Sequence, residues 1–470
     1  MMKKLTILSM AIALFASSCN DFLVKEPILS QSTEITLSTF DGLNSAIAGA
    51  YGPLAGETWY GPNFVFYTEM GSGNGKKPSE GDFDSGRMAE AYNLNYNPSS
   101  TSGLWGYGYF VISAANNVLA NLEGKESSEV TAADINNLKA EALFLRALSH
   151  FDMVRLYAQP YGYAPNGPGV PVVLATDPAA MPARNTVAET YEQIVADLTE
   201  AENIIADDYK REGVADYKAA VTKPAIQALL SRVYLYMENW IKAAEYATKV
   251  IDNPAFSIWT ADEYADAWKA NVGTSEVIFE VFGDQTNGYD AYWTSPSWMS
   301  TPGGYADCGT STDLVNLYEA DDVRNQWLQD PGYPHLYWTI KYAGKGVATP
   351  DVNNTVVLRL SEMYLNRAEA VVNGASGDAV ADLNVITAAR NATPYTSVGK
   401  EDVYTERRKE LAWEGHLWFD LSRWGKGITR VDYIGDPTNQ NVAAHSYKFA
   451  FPIPKREIDV NENLVQNEGY

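Results

Sequence analysis

Aromatic side chains crowd two stretches of this 470-residue chain that otherwise read as irregular, 56–102 and 283–312. The first carries Trp59, Tyr60 and Tyr67; the second carries Tyr289, Trp293, Trp298 and Tyr305. An indole or phenol ring offers a negative π face. A pyranose offers a face of polarised C–H bonds, so ring and sugar can lie flat together without any charge. Asn63, Asn287 and Asp290 stand near the rings and supply the amide and carboxylate groups that read hydroxyls. The competing reading is that each ring only pins its long loop to a scaffold. Irregular stretches this long inside a folded chain are usually functional or disordered, and the density of rings argues against disorder.

Reactive chemistry finds less support. The run from Gly71 to Lys76 resembles a phosphate loop, but Met70 holds the place of its first Gly and Lys77 the place of its Ser or Thr. His150, His335, His416 and His445 have no companions at metal or triad spacing. Cys19 and Cys308 allow neither a disulfide framework nor a zinc site. Asp82, Asp84, Asp284, Asp290 and Asp307 sit in loops, and a glycosidase needs only two carboxylates about 5–9 Å apart. As solvated turn residues they need no such role. The expectation is a chain with no catalytic residue, no metal and no cofactor.

Loops of this length need a rigid body to hold them. Apolar residues recur at helical spacing over 38–54, 104–122, 132–157, 187–205, 225–251, 358–389 and 403–413. The stretch 225–251 sets the pattern. Ile226, Leu229, Leu230, Val233, Tyr234 and Met237 share one face, and Thr222 and Pro224 suit a helix start. A break at Glu238 and Asn239 precedes a second stripe of Trp240, Ala244, Ala247 and Ile251. Two amphipathic helices joined so closely must pack antiparallel. One such hairpin cannot bury its own faces, so partners are expected. They are found: an apolar turn with Arg in its fourth place occurs at Arg146, Arg232 and Arg367. The expected fold is mainly α, built of tetratricopeptide-like helix pairs in an α-α superhelix, with long irregular loops and few short strands, one over 276–282.

Net charge is −24 with a pI near 4.6, and an acidic surface repels phosphate backbones, so nucleic-acid binding is disfavoured. Lys3 and Lys4 precede an apolar run over 5–15, then Ala16, Ser17, Ser18 and Cys19. This is a secretory signal, too short for the roughly 20 apolar residues a span requires. Residues 1–18 read as the signal and 19–470 as one domain. Small residues leading to Cys19 suit a lipobox, in which Cys19 becomes the acylated first residue. The alternative is ordinary cleavage that leaves a free thiol.

Several short runs stand out in order along the chain. Cys19, Asn20, Asp21, Phe22 and Leu23 lead to Pro27. The runs from Ala140 to Ala147, Asp322 to Arg324 and Leu358 to Leu365 follow. Glu406, Arg407, Arg408, Lys409, Glu410, Leu411, Ala412, Trp413, Glu414 and Gly415 form the longest, before Phe419 to Gly425 and a tail from Pro452 to Tyr470. In this order the runs resemble the SusD/RagB family of outer-membrane nutrient-binding lipoproteins, although Leu417 stands where the family often has Arg, and Ala158 where Gly is common.

The resemblance implies four tetratricopeptide-like helix pairs on one side and irregular loops on the other. It implies an outer-membrane lipoprotein, anchored through Cys19 and facing the exterior. A SusC-like TonB-dependent transporter would be its partner and an oligosaccharide or polysaccharide its ligand. A peptide-binding member of the same family, a secreted glycosidase and a repeat-based protein–protein adaptor are the alternatives.

Overall fold

The structure is a computed structural model that describes residues 33–79, 83, 86–100, 103–214, 216–270, 272–283, 295–344 and 353–470. The expected signal and Cys19 lie outside these residues.

The body is helical. Its main helices are α1 (Phe40–Tyr51), α2 (Pro62–Ser72), α3 (Leu104–Asn121), α4 (Ala132–Tyr157), α5 (Val187–Ile204) and α6 (Lys223–Tyr236). They continue with α7 (Trp240–Ile251), α8 (Leu360–Val372), α9 (Ala379–Ala389), α10 (Lys400–Leu411) and α11 (Leu417–Arg423). Packing follows chain order: α1 on α3, then α3 through α7 each on the next, α7 on α8, and α8 on α9 and α10. This tetratricopeptide-like stack is the expected fold class.

The central hairpin forms for the reasons its sequence gives. Thr222 Oγ1 accepts the Ala225 N–H, and Pro224 sits in the first turn, where its missing N–H costs nothing. Glu238 adopts a left-handed φ of 57° and Asn239 caps α7 by accepting the Lys242 N–H. Ala243, Ala244 and Ala247 are buried and let α6 approach so closely that Ser231 Oγ donates to the Ala243 carbonyl at 3.0 Å. The recurring arginines tie helices together. Arg146 on α4 grips Asp197 on α5, Arg232 on α6 grips Glu362 on α8, and Arg367 on α8 grips Asp382 on α9. All three pairs are forked, two N–H groups onto one carboxylate, which fixes direction as well as distance.

The stretch 56–102 departs from expectation. It contains α2 and a short helix at Ala89–Asn93. Nine of the eleven α2 residues are buried, so the helix has no polar face and its sequence shows no helical period. Gly73, at φ 103°, ends it in a conformation that favours glycine.

The strands are short and antiparallel. β1 (Gly75–Lys76) pairs with β3 (Gly309–Thr310), and β2 (Val277–Val281) with β6 (Thr355–Arg359). β4 (Trp327–Asp330) pairs with β5 (Tyr333–Thr339) across a turn at Pro331 and Gly332. β2 is the strand expected over 276–282.

A buried ionic network joins β2 and β6 to α9 and α10. Arg359 reaches Glu276 and Glu410 at 2.7 Å each, and Glu414 at 2.7 Å. Arg390 reaches the same Glu276 and Glu410 at 3.1 and 2.8 Å. Arg324 bonds Asp322, Glu406 and Glu410, while Lys409 approaches Asp322 and Lys341 approaches Glu414. Five cations thus meet five carboxylates. Burial works to raise the Glu410 carboxyl, but Arg390, Arg359 and Arg324 more than offset it and hold it well below the usual range. Glu410→Gln leaves three guanidiniums short of charge in a dry site. It is expected to lower unfolding free energy by about 3–5 kcal/mol, read from the urea midpoint.

Glu69 on α2 behaves oppositely. It is fully buried, its oxygens accept from Asn74 Nδ2 at 2.7 Å, from the Gly415 N–H at 2.8 Å and from the Trp413 backbone, and burial outweighs these donors and pushes its carboxyl up to about 7. The native state therefore holds a proton that the unfolded chain has already released above pH 4.5 or so. This contribution to stability falls as pH climbs through about 7 and is constant beyond it, a change of about 3 kcal/mol. Glu69→Gln is expected to flatten the stability–pH curve between these limits, whatever its offset. An unchanged slope in urea titrations at pH 5, 6 and 7.5 would exclude this role.

Candidate ligand-binding surface

The β1–β3 ladder sets the two ring-bearing stretches side by side. Gly75 faces Thr310, Lys76 faces Gly309, and the Ser311 N–H donates to the Asn74 carbonyl at 2.8 Å. α10 and the residues after it brace this junction. Trp413 Nε1 donates to Thr310 Oγ1 at 3.1 Å, Arg408 Nε donates to Asn74 Oδ1 at 2.9 Å, and Tyr342 OH donates to the Trp413 carbonyl at 2.9 Å.

Just before β3 the chain turns back tightly. Trp298 lies on a short helix, Pro296–Ser300, and its carbonyl accepts both the Tyr305 N–H at 2.7 Å and the Ala306 N–H at 3.2 Å. Gly304 makes the turn possible, because a Cβ there would stand 2.6 Å from the Trp298 oxygen. The Trp298 and Tyr305 rings are 5.3 Å apart at 55°, both half-buried. Arg87, from the first stretch, lays its guanidinium 3.6 Å over the Tyr305 ring and bonds Asp307 at 3.1 Å. The β4–β5 hairpin closes one side: Trp338 Nε1 donates to the Ala306 carbonyl at 2.9 Å, and Phe83 meets Tyr333 and Trp338 edge-on at 5.3 Å each. Tyr67 packs beneath from α2, half-buried, and burial pushes its hydroxyl up to about 12.

Two expected ring platforms turn inward instead. Trp59 and Tyr60 are 0% and 4% exposed. Trp59 Nε1 and Tyr60 OH both donate to Asp152 Oδ2, at 2.8 and 2.6 Å, while Arg155 bonds the other oxygen. A buried carboxylate needs such donors, and the two rings supply them and the apolar cover together. Neither is available to stack on a ligand. Asn63 is half-buried at the start of α2, with its N–H on the Glu57 carbonyl at 2.9 Å. Asn287, Tyr289, Asp290 and Trp293 lie outside the described residues, as do Asp82, Asp84 and Asp284.

Arg87, Phe83 and Tyr333 are absent from the sequence-derived set. Asp330, Pro331 and Gly332 between aromatic-rich runs form a legible hairpin signal for Tyr333. Nothing local marks Arg87, whose neighbours come from a distant stretch.

Acid–base and metal chemistry gain no footing on these groups. Asp307 is buried and paired with Arg87. His150 sits inside α4 against the Arg146 carbonyl, and burial pushes it down to about 3, which keeps the imidazole neutral. No group of three or more His, Cys, Asp or Glu side chains among the described residues could hold a metal. The surface offers two half-buried rings, a cation fixed across one of them, and flanking aromatics, an arrangement suited to stacking and hydrogen bonding.

Comparison with known proteins places the chain. Residues 21–235 match the family model described as starch-binding associating with outer membrane, and residues 324–470 match that of the SusD family. A SusD-like protein of Bacteroides ovatus is 24% identical over 477 residues, 90% of this chain and 83% of that protein. A solved SusD superfamily protein of Bacteroides thetaiotaomicron superposes with a TM-score of 0.79 at 28% identity, over 91% of this chain and 99% of that one. A laminarin-binding SusD-like protein shares the fold, with a TM-score of 0.76 at 23% identity over 92% of this chain and 100% of that one. The run from Glu406 to Gly415, the helix stack and these matches agree: the chain belongs to the SusD/RagB family.

Proposed function

We propose that this protein is a non-catalytic glycan-binding lipoprotein of the outer membrane, which captures oligosaccharides outside the cell and hands them to a SusC-like TonB-dependent transporter. The observation that carries the reading is the Arg87–Tyr305–Trp298 surface, assembled from the two ring-bearing stretches on the helical stack. Its rings suit the apolar face of a pyranose, and Arg87 adds N–H donors beside them. The laminarin-binding relative of the same fold supports a polysaccharide as ligand. Cys19 is the proposed lipid attachment point. No helix of the described residues is long and apolar enough to cross a membrane, which is consistent with an acyl anchor.

Sites built on loops bury modest area, so single-site affinity should be modest and polymers should be held by avidity. Native gels cast with starch, laminarin, xylan or mannan are expected to retard the full chain in detergent for at least one polymer. In the same gels Trp298→Ala and Tyr305→Ala should each weaken retention by about 2 kcal/mol, about thirtyfold in Kd. No retardation by any glycan, with binding of oligopeptides instead, would favour the peptide-binding alternative. New reducing ends after incubation with the bound polymer would favour a hydrolase.

Cys19→Ala is expected to abolish acyl labelling and move the protein from the membrane fraction to the soluble one. Retention in the membrane with full labelling would place the anchor elsewhere.

A further inference from the structure

A second ring-lined cleft shares no residue with the surface above. It encloses about 180 Å³ where the residues after α4 meet the C-terminal segments around 445–450 and 467–468. Tyr163 and His445 stack there face to face, 3.9 Å apart and 13° from parallel, and both are exposed. Tyr447 forms another wall and is 41% exposed.

These rings are held in place. Tyr447 rests on Gly469, where a Cβ would stand 2.4 Å from the ring, and meets Tyr470 edge-on at 5.3 Å. His445 takes a left-handed φ of 57°, costly for a residue with a side chain, and Gly425 opposite leaves the room its ring needs. The polar groups of the lining are the Tyr163 and Tyr447 hydroxyls, the His445 imidazole, the Gln159 and Asn467 amides and the Glu468 carboxylate. Gln159 donates through Nε2 to the Ser446 carbonyl at 3.1 Å, while its Oε1, itself buried, has no hydrogen-bond partner among the described residues. The Glu468 carboxylate stands exposed at the rim. None of the lining residues is Lys or Arg.

We infer that this cleft is a second carbohydrate site, which takes a single neutral pyranose residue. Fixed rings on two walls match the C–H face of a sugar, and the exposed Glu468 carboxylate accepts from its hydroxyls. Its volume of about 180 Å³ is on the scale of one sugar ring. With a carboxylate at the rim, and the Arg184 guanidinium behind the lining spent on the Pro168 carbonyl and Asn467 Oδ1, it disfavours sulfated, phosphorylated or uronic sugars. The inference rests on the glycan reading above. Two sites on one chain would hold a polymer longer than either alone, without any new contact.

The test is saturation-transfer NMR of the full chain in detergent with the methyl glycosides of glucose, galactose, mannose and xylose. At least one is expected to receive transfer. That signal should survive in a Trp298→Ala/Tyr305→Ala chain, fall at least fivefold in Tyr163→Ala and persist in Tyr163→Phe. Glu468→Ala, an exposed position, should lower it at least threefold and serves if Tyr163→Ala alters the circular-dichroism spectrum. No transfer to any glycoside in the wild type overturns the cleft as a sugar site. So does a signal that dies with Trp298 and Tyr305 yet survives Tyr163→Ala. Polymer gels separate the two readings. Retardation without glycoside transfer leaves the glycan function standing and removes only the cleft. Transfer that tracks Tyr163 in a chain no polymer retards keeps the cleft and removes polymer capture.

Discussion

Ten charged side chains have to find one another in a dry interior before the rest of this molecule can settle. Burying an ion is costly, and a buried pair is often no more stabilising than well-packed apolar groups. The network around Glu410 is therefore poorly explained as a source of net stability. It acts as a constraint on arrangement. Arg359 comes from the end of β6, Glu276 from the start of β2, Arg390 from the end of α9, and Glu406 and Glu410 from α10. A slip of any one of these elements would strand a charge, so only one mutual placement is tolerable.

That constraint propagates to the loops. Trp413 and Gly415 follow directly on α10, and through them the network fixes Thr310 in β3 and Glu69 in α2. Asp152 and Arg155 make a second, smaller knot that pins the turn at Trp59 and Tyr60 to α4. The candidate surface is thus built from irregular chain, yet each of its roots ends on a helix. Loop sites gain precision this way, by anchoring both ends and leaving only the exposed span to vary.

The helical stack is legible in the sequence because α7 buries one face and leaves another wet, and because in α6, which has no exposed residue, Leu229, Leu230 and Val233 still repeat at helical spacing alongside a half-buried stripe of Lys223, Gln227 and Tyr234. Their capping residues, Thr222 and Asn239, are equally plain. α2 is not legible, since a helix enclosed on nearly every side shows no period. For the site, Trp298 and Tyr305 are readable as rings in a Gly-rich stretch, whereas composition alone could not tell them from Trp59 and Tyr60. The difference lies in Asp152, ninety-odd positions away along the chain, which draws the latter pair inward. Arg87 was beyond reach for the same reason. The run from Glu406 to Gly415 carries the clearest family signal, and it belongs to the ionic core and to the bracing beneath the ring-bearing stretches.

The β1–β3 ladder has only two residue pairs. So slight a clasp fixes where the two stretches touch but dictates nothing about how far each reaches past that point. Chains sharing the helical body can therefore lengthen, shorten or recolour either arm without disturbing the framework. One architecture can in this way be refitted for many cargoes while its interior chemistry stays the same.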